Sequence, residues 1–177
     1  MTEIACPTNC VYLEAAQRYP AAATKKQHER DLTILLPTLG HVSEAQLELF
    51  FLIQTWVLRF KPSDFEGVVD ADLADAASAL AASFETASRG VIYEQQAQSR
   101  IAEHLRRELQ AFLAQVGRGG GPRFEAQAAE VLRGIARGAS HEADGIGPGE
   151  QDYLSLVARV LHERPPATVS RSRIVLS

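Results

Sequence analysis

Residues 43–60 read SEAQLELFFLIQTWVLRF, and the fold class turns on this stretch. Ser43 followed three residues later by Gln46 is a helix-start pattern, because each side chain can satisfy the other residue's backbone N–H. The pattern predicts a helix from Ser43 to about Phe60, stopped by Lys61-Pro62. Its apolar residues (Leu47, Leu49, Phe50, Phe51, Leu52, Ile53, Trp56, Val57, Leu58, Phe60) cover most of the circumference and leave a narrow polar strip at Glu44, Glu48, Thr55 and Arg59. A helix of this kind belongs at the centre of a bundle, packed on two or three sides, or gives one face to a second subunit.

Toward the N-terminus two more helices are expected. One runs from about Asn9 to Tyr19, with Thr8 or Asn9 as cap and Pro20 closing it. The next opens at Pro20 and runs to about Leu36, where Pro37 and Gly40 break the chain. Toward the C-terminus, Asp70 is the expected N-cap of a long alanine-rich helix. Its stripe is Leu73, Ala77, Leu80, Phe84, Ala87 and Val91, and it should continue, straight or kinked, through Gly90 to about Gln96. The alanines would let a neighbouring helix approach closely. Ser99 begins a helix with the stripe Ile101, Leu105, Leu109, Phe112 and Val116. Arg118-Gly119-Gly120-Gly121-Pro122 reads as a flexible joint before a helix at about Arg123–Arg137. The last helix, Glu150–Glu163, turns Tyr153, Leu154, Val157, Val160 and Leu161 inward before Pro165-Pro166.

No segment alternates as a strand. The expected fold is all-α, a helical bundle of about six to seven helices with a C-terminal helical pair docked on the core. The expected organisation is a bundle core over 1–116, a glycine-rich hinge over 117–121, the helical pair over 122–163 and an extended tail over 164–177. Phe51, Trp56, Leu80, Phe84, Leu105 and Leu109 are the expected deep core.

Composition agrees with a helical chain able to build such a core. Of 177 residues, 46% are hydrophobic and 23% charged, and alanine and leucine supply 27 and 19 residues. No apolar run approaches the ~18 residues of a membrane span. The start, Met1-Thr2-Glu3-Ile4-Ala5-Cys6-Pro7, lacks a basic region followed by an apolar one, so a secretory signal is not expected and a cytoplasmic location is. Eighteen basic and 22 acidic groups give −4, which does not fit a nucleic-acid binder. Fifteen arginines against three lysines associate the chain with a GC-rich bacterial genome.

Catalytic signatures are excluded by inspection. The chain has no phosphate-binding G-x-x-x-x-G-K, no G-x-G-x-x-G after a strand, and no G-x-S-x-G. No histidine pair has the H-E-x-x-H spacing, and no glutamate is followed three residues later by the histidine of a di-iron bundle. Asp70, Asp72 and Asp75 are explained by charge compensation at a helix start.

The pattern with chemical content is Cys6-Pro7-Thr8-Asn9-Cys10. It admits two buried small hydrophobes, a redox dithiol, or a site for a metal ion such as zinc completed by His28, His41 or a second subunit. Among the other histidines, His104 with Arg100 and Arg107 forms a cationic helix face, and His141 stands beside Glu142 and Asp144 in a glycine-rich loop. Both read first as ordinary solvated polarity. The functional expectation is a non-enzymatic helical interaction or regulatory protein, homodimeric and with an unidentified protein partner. The alternatives are a metal- or redox-responsive protein using Cys6 and Cys10, and a small-molecule-binding bundle.

Overall fold

The computed structural model describes residues 25–61, 67–91, 94–141, 146 and 152–161. These residues are helical with no strand among them. Helix α1 is described over 25–35 and passes into a 3-10 turn, Leu36–Leu39. Then follow α2 (Glu44–Arg59), α3 (Asp70–Ser88), α4 (Arg100–Val116), α5 (Gly121–Ala139) and α6 (Tyr153–Leu161). The expected helix over 9–19 lies outside the described residues.

The start of α2 matches its sequence pattern. Gln46 N–H donates to Ser43 Oγ at 3.3 Å, and Ser43 N–H donates to Gln46 Oε1 at 2.8 Å. Ser99 caps α4 by accepting from Ala102 N–H at 2.9 Å. The end of α3 corrects the expectation of a helix running to Gln96. The chain turns at Gly90, whose φ of +80° only glycine adopts freely. Gly90 N–H bonds to the Ala87 carbonyl and Val91 N–H to the Thr86 carbonyl, the paired bonds of a glycine-terminated helix. A heptad-like stripe cannot register such a stop, because Val91 continues the spacing whether or not the helix does. Asp70 is also corrected: Val69 occupies the cap position and Asp70 is the first helical residue.

The most extensive pairing joins α3 to α5. Buried Ala76, Ala77 and Ala81 on α3, with Ala128 and Ala129 on α5, let the two backbones approach. Helix α4 packs on α3, while α2 and α6 pack on α5 and on one another. Leu80, Leu105 and Leu109 are fully buried, as expected, beside Phe50, Ile53, Leu73, Leu113, Leu132, Ile135 and Leu156. Phe51, Trp56 and Phe84 are corrected, because each is partly exposed and packs against the rim of this core. Each is packed against the core by neighbouring helices that cover it only in part.

Gly134 and Gly138 stand one turn apart on α5. A Cβ on Gly134 would meet Leu39 Cδ2 at 2.7 Å and Leu39 Cα at 3.1 Å. A Cβ on Gly138 would lie 2.4 Å from the Tyr153 ring. The two glycines are the seat for the 3-10 turn and for Tyr153. The Gly117–Gly120 turn packs equally closely on Phe124, and Gly119 there has φ of +87°.

Candidate functional site

Two kinds of feature stand out: polar side chains buried between helices, and an apolar face left open on α2 and α4. The hydrogen bonds of the buried polar groups define what chemistry they can do.

Asp70, buried at the start of α3, turns its carboxylate to the N-terminus of α6. It accepts from Tyr153 N–H at 2.7 Å, from Leu154 N–H at 3.0 Å and from His141 Nε2 at 2.7 Å. Asp152 accepts from Ser155 N–H at 2.7 Å. The first three amides of α6 are thereby satisfied, with negative charge at the positive end of its dipole. His141 holds its ring on Asp70 from a left-handed backbone, φ +61°, a conformation uncommon for a residue with a side chain. With three donors on it, the Asp70 carboxylate is an anchor for α6. It does not sit open to a substrate.

Tyr153 is fully buried, and its phenol oxygen accepts from Gln54 Nε2 at 2.6 Å. Burial pushes the phenol well above its ordinary pKa; the Asp70 charge acts in the same direction, and the Gln54 hydrogen bond opposes both only in part. Tyr153 stays protonated and serves as a packing group. Gln54 Oε1 is buried without a hydrogen-bond partner among the described residues.

Asp72 and Asp75 of α3 hold the start of α4. Asp75 Oδ2 accepts from the N–H groups of Gln98 and Ser99 at 2.7 and 3.1 Å, and Ser99 Oγ donates to Asp72 Oδ1 at 2.9 Å. Within α4 the Arg106 side chain, only 4% exposed, forms a two-pronged pair with Glu103, both bonds at 2.8 Å. Arg106 also donates to Gln110 Oε1 at 2.7 Å. The hydrogen bond from Arg106 chiefly, with the Ala97 N–H and the Arg106 and Arg107 charges, lowers the Glu103 pKa to about 2 against the cost of desolvation. On the other side of the molecule, Asp31 of α1 is buried and accepts from Arg159 of α6, Nε to Oδ2 at 3.0 Å and Nη2 to Oδ1 at 3.3 Å.

The open face is apolar. The Trp56 ring on α2 stacks on Phe60 at 5.2 Å between centroids and on Phe112 of α4 at 5.4 Å. Phe60 in turn lies 5.6 Å from the His104 ring. The order of these contacts shows α2 and α4 running antiparallel, bridged by aromatic rings. Leu52 and Val116 extend the stripe and are 42% and 41% exposed. His104 therefore belongs to this aromatic row, in place of the solvated cationic face expected for it.

The sequence-predicted metal ligands fare differently. Cys6 and Cys10 lie outside the described residues, as do Glu142 and Asp144. His28 is on α1, and His41 is exposed in the turn before α2. Among the described residues no group of three or more His, Cys, Asp or Glu side chains is arranged to hold a metal ion. No helix among them is long and apolar enough to cross a membrane. The contacts that sequence reasoning missed are Asp70 with α6 and Asp31 with Arg159, which join residues too far apart in the chain to leave a local pattern. The Gly134-x-x-x-Gly138 spacing was a visible sign of close packing on α5. Comparison of the chain with family models, with curated proteins and with solved structures finds no match.

Proposed function

We propose that this chain is a non-enzymatic helical interaction protein that works as a homodimer, and that its contact surface is the open side of α2 and α4. The observation that carries the reading is the aromatic row. Trp56 sits half-buried between Phe60 and Phe112, with Leu52 of α2 and Val116 of α4 open to solvent beyond it. A contiguous apolar patch rimmed by charge is the usual mark of an association surface, and tryptophan and other aromatics anchor such surfaces. The buried acids and the buried tyrosine support the same reading, because each is engaged in joining one helix to another.

Trp56 is the single tryptophan, so it reports on this face without labelling. Light scattering of the full chain from micromolar to millimolar concentration is expected to show a concentration-dependent doubling of the 19.3 kDa mass. Acrylamide quenching of Trp56 should weaken over the same range. A monomeric mass throughout, with quenching independent of concentration, rules out the homodimeric reading.

A further inference from the structure

We infer that the second copy lies along the outer side of α2, antiparallel and about a two-fold axis midway between Leu52 and Thr55, so that Glu48 of each chain meets the partner's Arg59. The inference deepens the homodimeric reading and rests on it. At 3.6 residues per turn, Glu44, Ala45, Glu48, Leu52, Thr55 and Arg59 fall on one side of α2. Among them Thr55 is half-buried and the other five are exposed. The buried side, Gln46, Leu49, Phe50, Ile53 and Val57, faces the opposite way.

Charge along this outer side is polar in the literal sense. Its N-terminal half carries Glu44 and Glu48, its C-terminal half carries Arg59, and Leu52 lies between them. A two-fold contact sets the same surface against itself, so it must be self-complementary. Parallel α2 helices would set glutamate against glutamate and arginine against arginine. Antiparallel helices crossing beside Ile53 and Gln54 set Glu48 against the partner's Arg59 twice, bring Leu52 over the partner's Thr55, and oppose the two helix dipoles. Ala45 and Thr55 are small enough to let the backbones approach. Trp56, at the edge of this side toward α4, becomes covered as the contact forms.

The test uses charge reversal on the full chain, read by light scattering and sedimentation, with circular dichroism as the control on folding. Glu48→Arg alone should weaken dimerisation by at least ~10-fold, since it places two like-charged pairs in the contact. Arg59→Glu alone should do the same. Mixing the two single variants should restore association, because a mixed pair carries opposite charges at both contacts, and the double variant E48R/R59E should dimerise alone. Leu52→Glu should give a folded monomer. A wild type that is monomeric at millimolar concentration overturns both this register and the homodimeric reading. A wild-type dimer that ignores Glu48→Arg, or single variants that do not recover on mixing, overturns the antiparallel α2 contact and leaves the homodimeric reading standing. Should Arg59→Glu disturb the monomer fold, the Glu48→Arg result alone still decides.

Discussion

Glu103 and Arg106 show how one pair of side chains makes this fold sensitive to acid. The Glu103 carboxyl has a pKa of about 2 in the folded protein, whereas the unfolded chain restores it to the ordinary range near ~4.3. The unfolded state therefore takes up the proton first as pH falls. The contribution is full above about pH 4.5 and is lost progressively toward pH 2. Glu103→Gln is expected to cost about 2–3 kcal/mol near neutral pH, because it strips the carboxylate from a buried guanidinium. The gap between variant and wild type should narrow in urea melts as the pH is lowered through that window. A gap that stays constant with pH counts against the pairing. Gly138 poses a steric question instead. Alanine favours a helix by about 1 kcal/mol over glycine. Yet a Cβ there would lie 2.4 Å from the Tyr153 ring, which is held by its own hydrogen bond and cannot swing away. Gly138→Ala is expected to destabilise by about 1–3 kcal/mol as the crowding outweighs the propensity. Chemical denaturation reads the sign directly.

At the scale of elements, the short helix α6 depends on a residue from another helix. Nine residues in isolation would not hold a helix in water, since nucleation is costly and few bonds follow it. Asp70 supplies the missing term by accepting the Tyr153 and Leu154 amides, and Asp31 grips Arg159 near the other end. Asp70→Ala leaves these two amides and His141 without their acceptor, at an expected cost of about 2–4 kcal/mol. Hydrogen exchange should localise the loss, with α6 amides losing protection ahead of those in α3 and α5. Uniform loss across the molecule would instead show that α6 and the core unfold as one unit. The aspartates of α3 have a larger role than the dipole compensation first assigned to them. Asp70 caps α6, and Asp72 and Asp75 fix the start of α4, so the first two turns of α3 position two other helices.

For the whole molecule, the α3–α5 pairing sets the frame and the leucine layer above it fills the interior. Leu109 is fully buried in that layer, and Leu109→Ala is expected to cost about 2–5 kcal/mol, set by how far the neighbours can collapse into the space. A loss below about 1 kcal/mol, measured by urea or thermal unfolding, would show α4 to be peripheral. Trp56→Ala should cost less than its size suggests, because part of its surface already lies on the open face.

Local pattern and tertiary contact thus divided the decisions about this protein. The sequence by itself determined that the fold is helical and where several helices begin. The Ser43–Gln46 cap, the Ser99 cap and the leucine stripe of α4 act within one or two turns, so their physics is complete in a short window. Leu80, Leu105 and Leu109 were readable as core for the same reason. Where α3 stops was not, because only the backbone conformation at Gly90 separates a helix continuing through a glycine from one ending there. Which apolar residues stay at the surface was equally hidden. The stripe of α2 names its apolar positions, but the side its neighbours occupy decides that Ile53 is buried and Leu52 and Trp56 are left at the boundary. The tertiary structure alone decided that Asp70 caps α6 and that Asp31 pairs with Arg159. A hydrogen bond between residues so distant in the chain forms only after the core has brought their helices together, and nothing in either local segment anticipates the other.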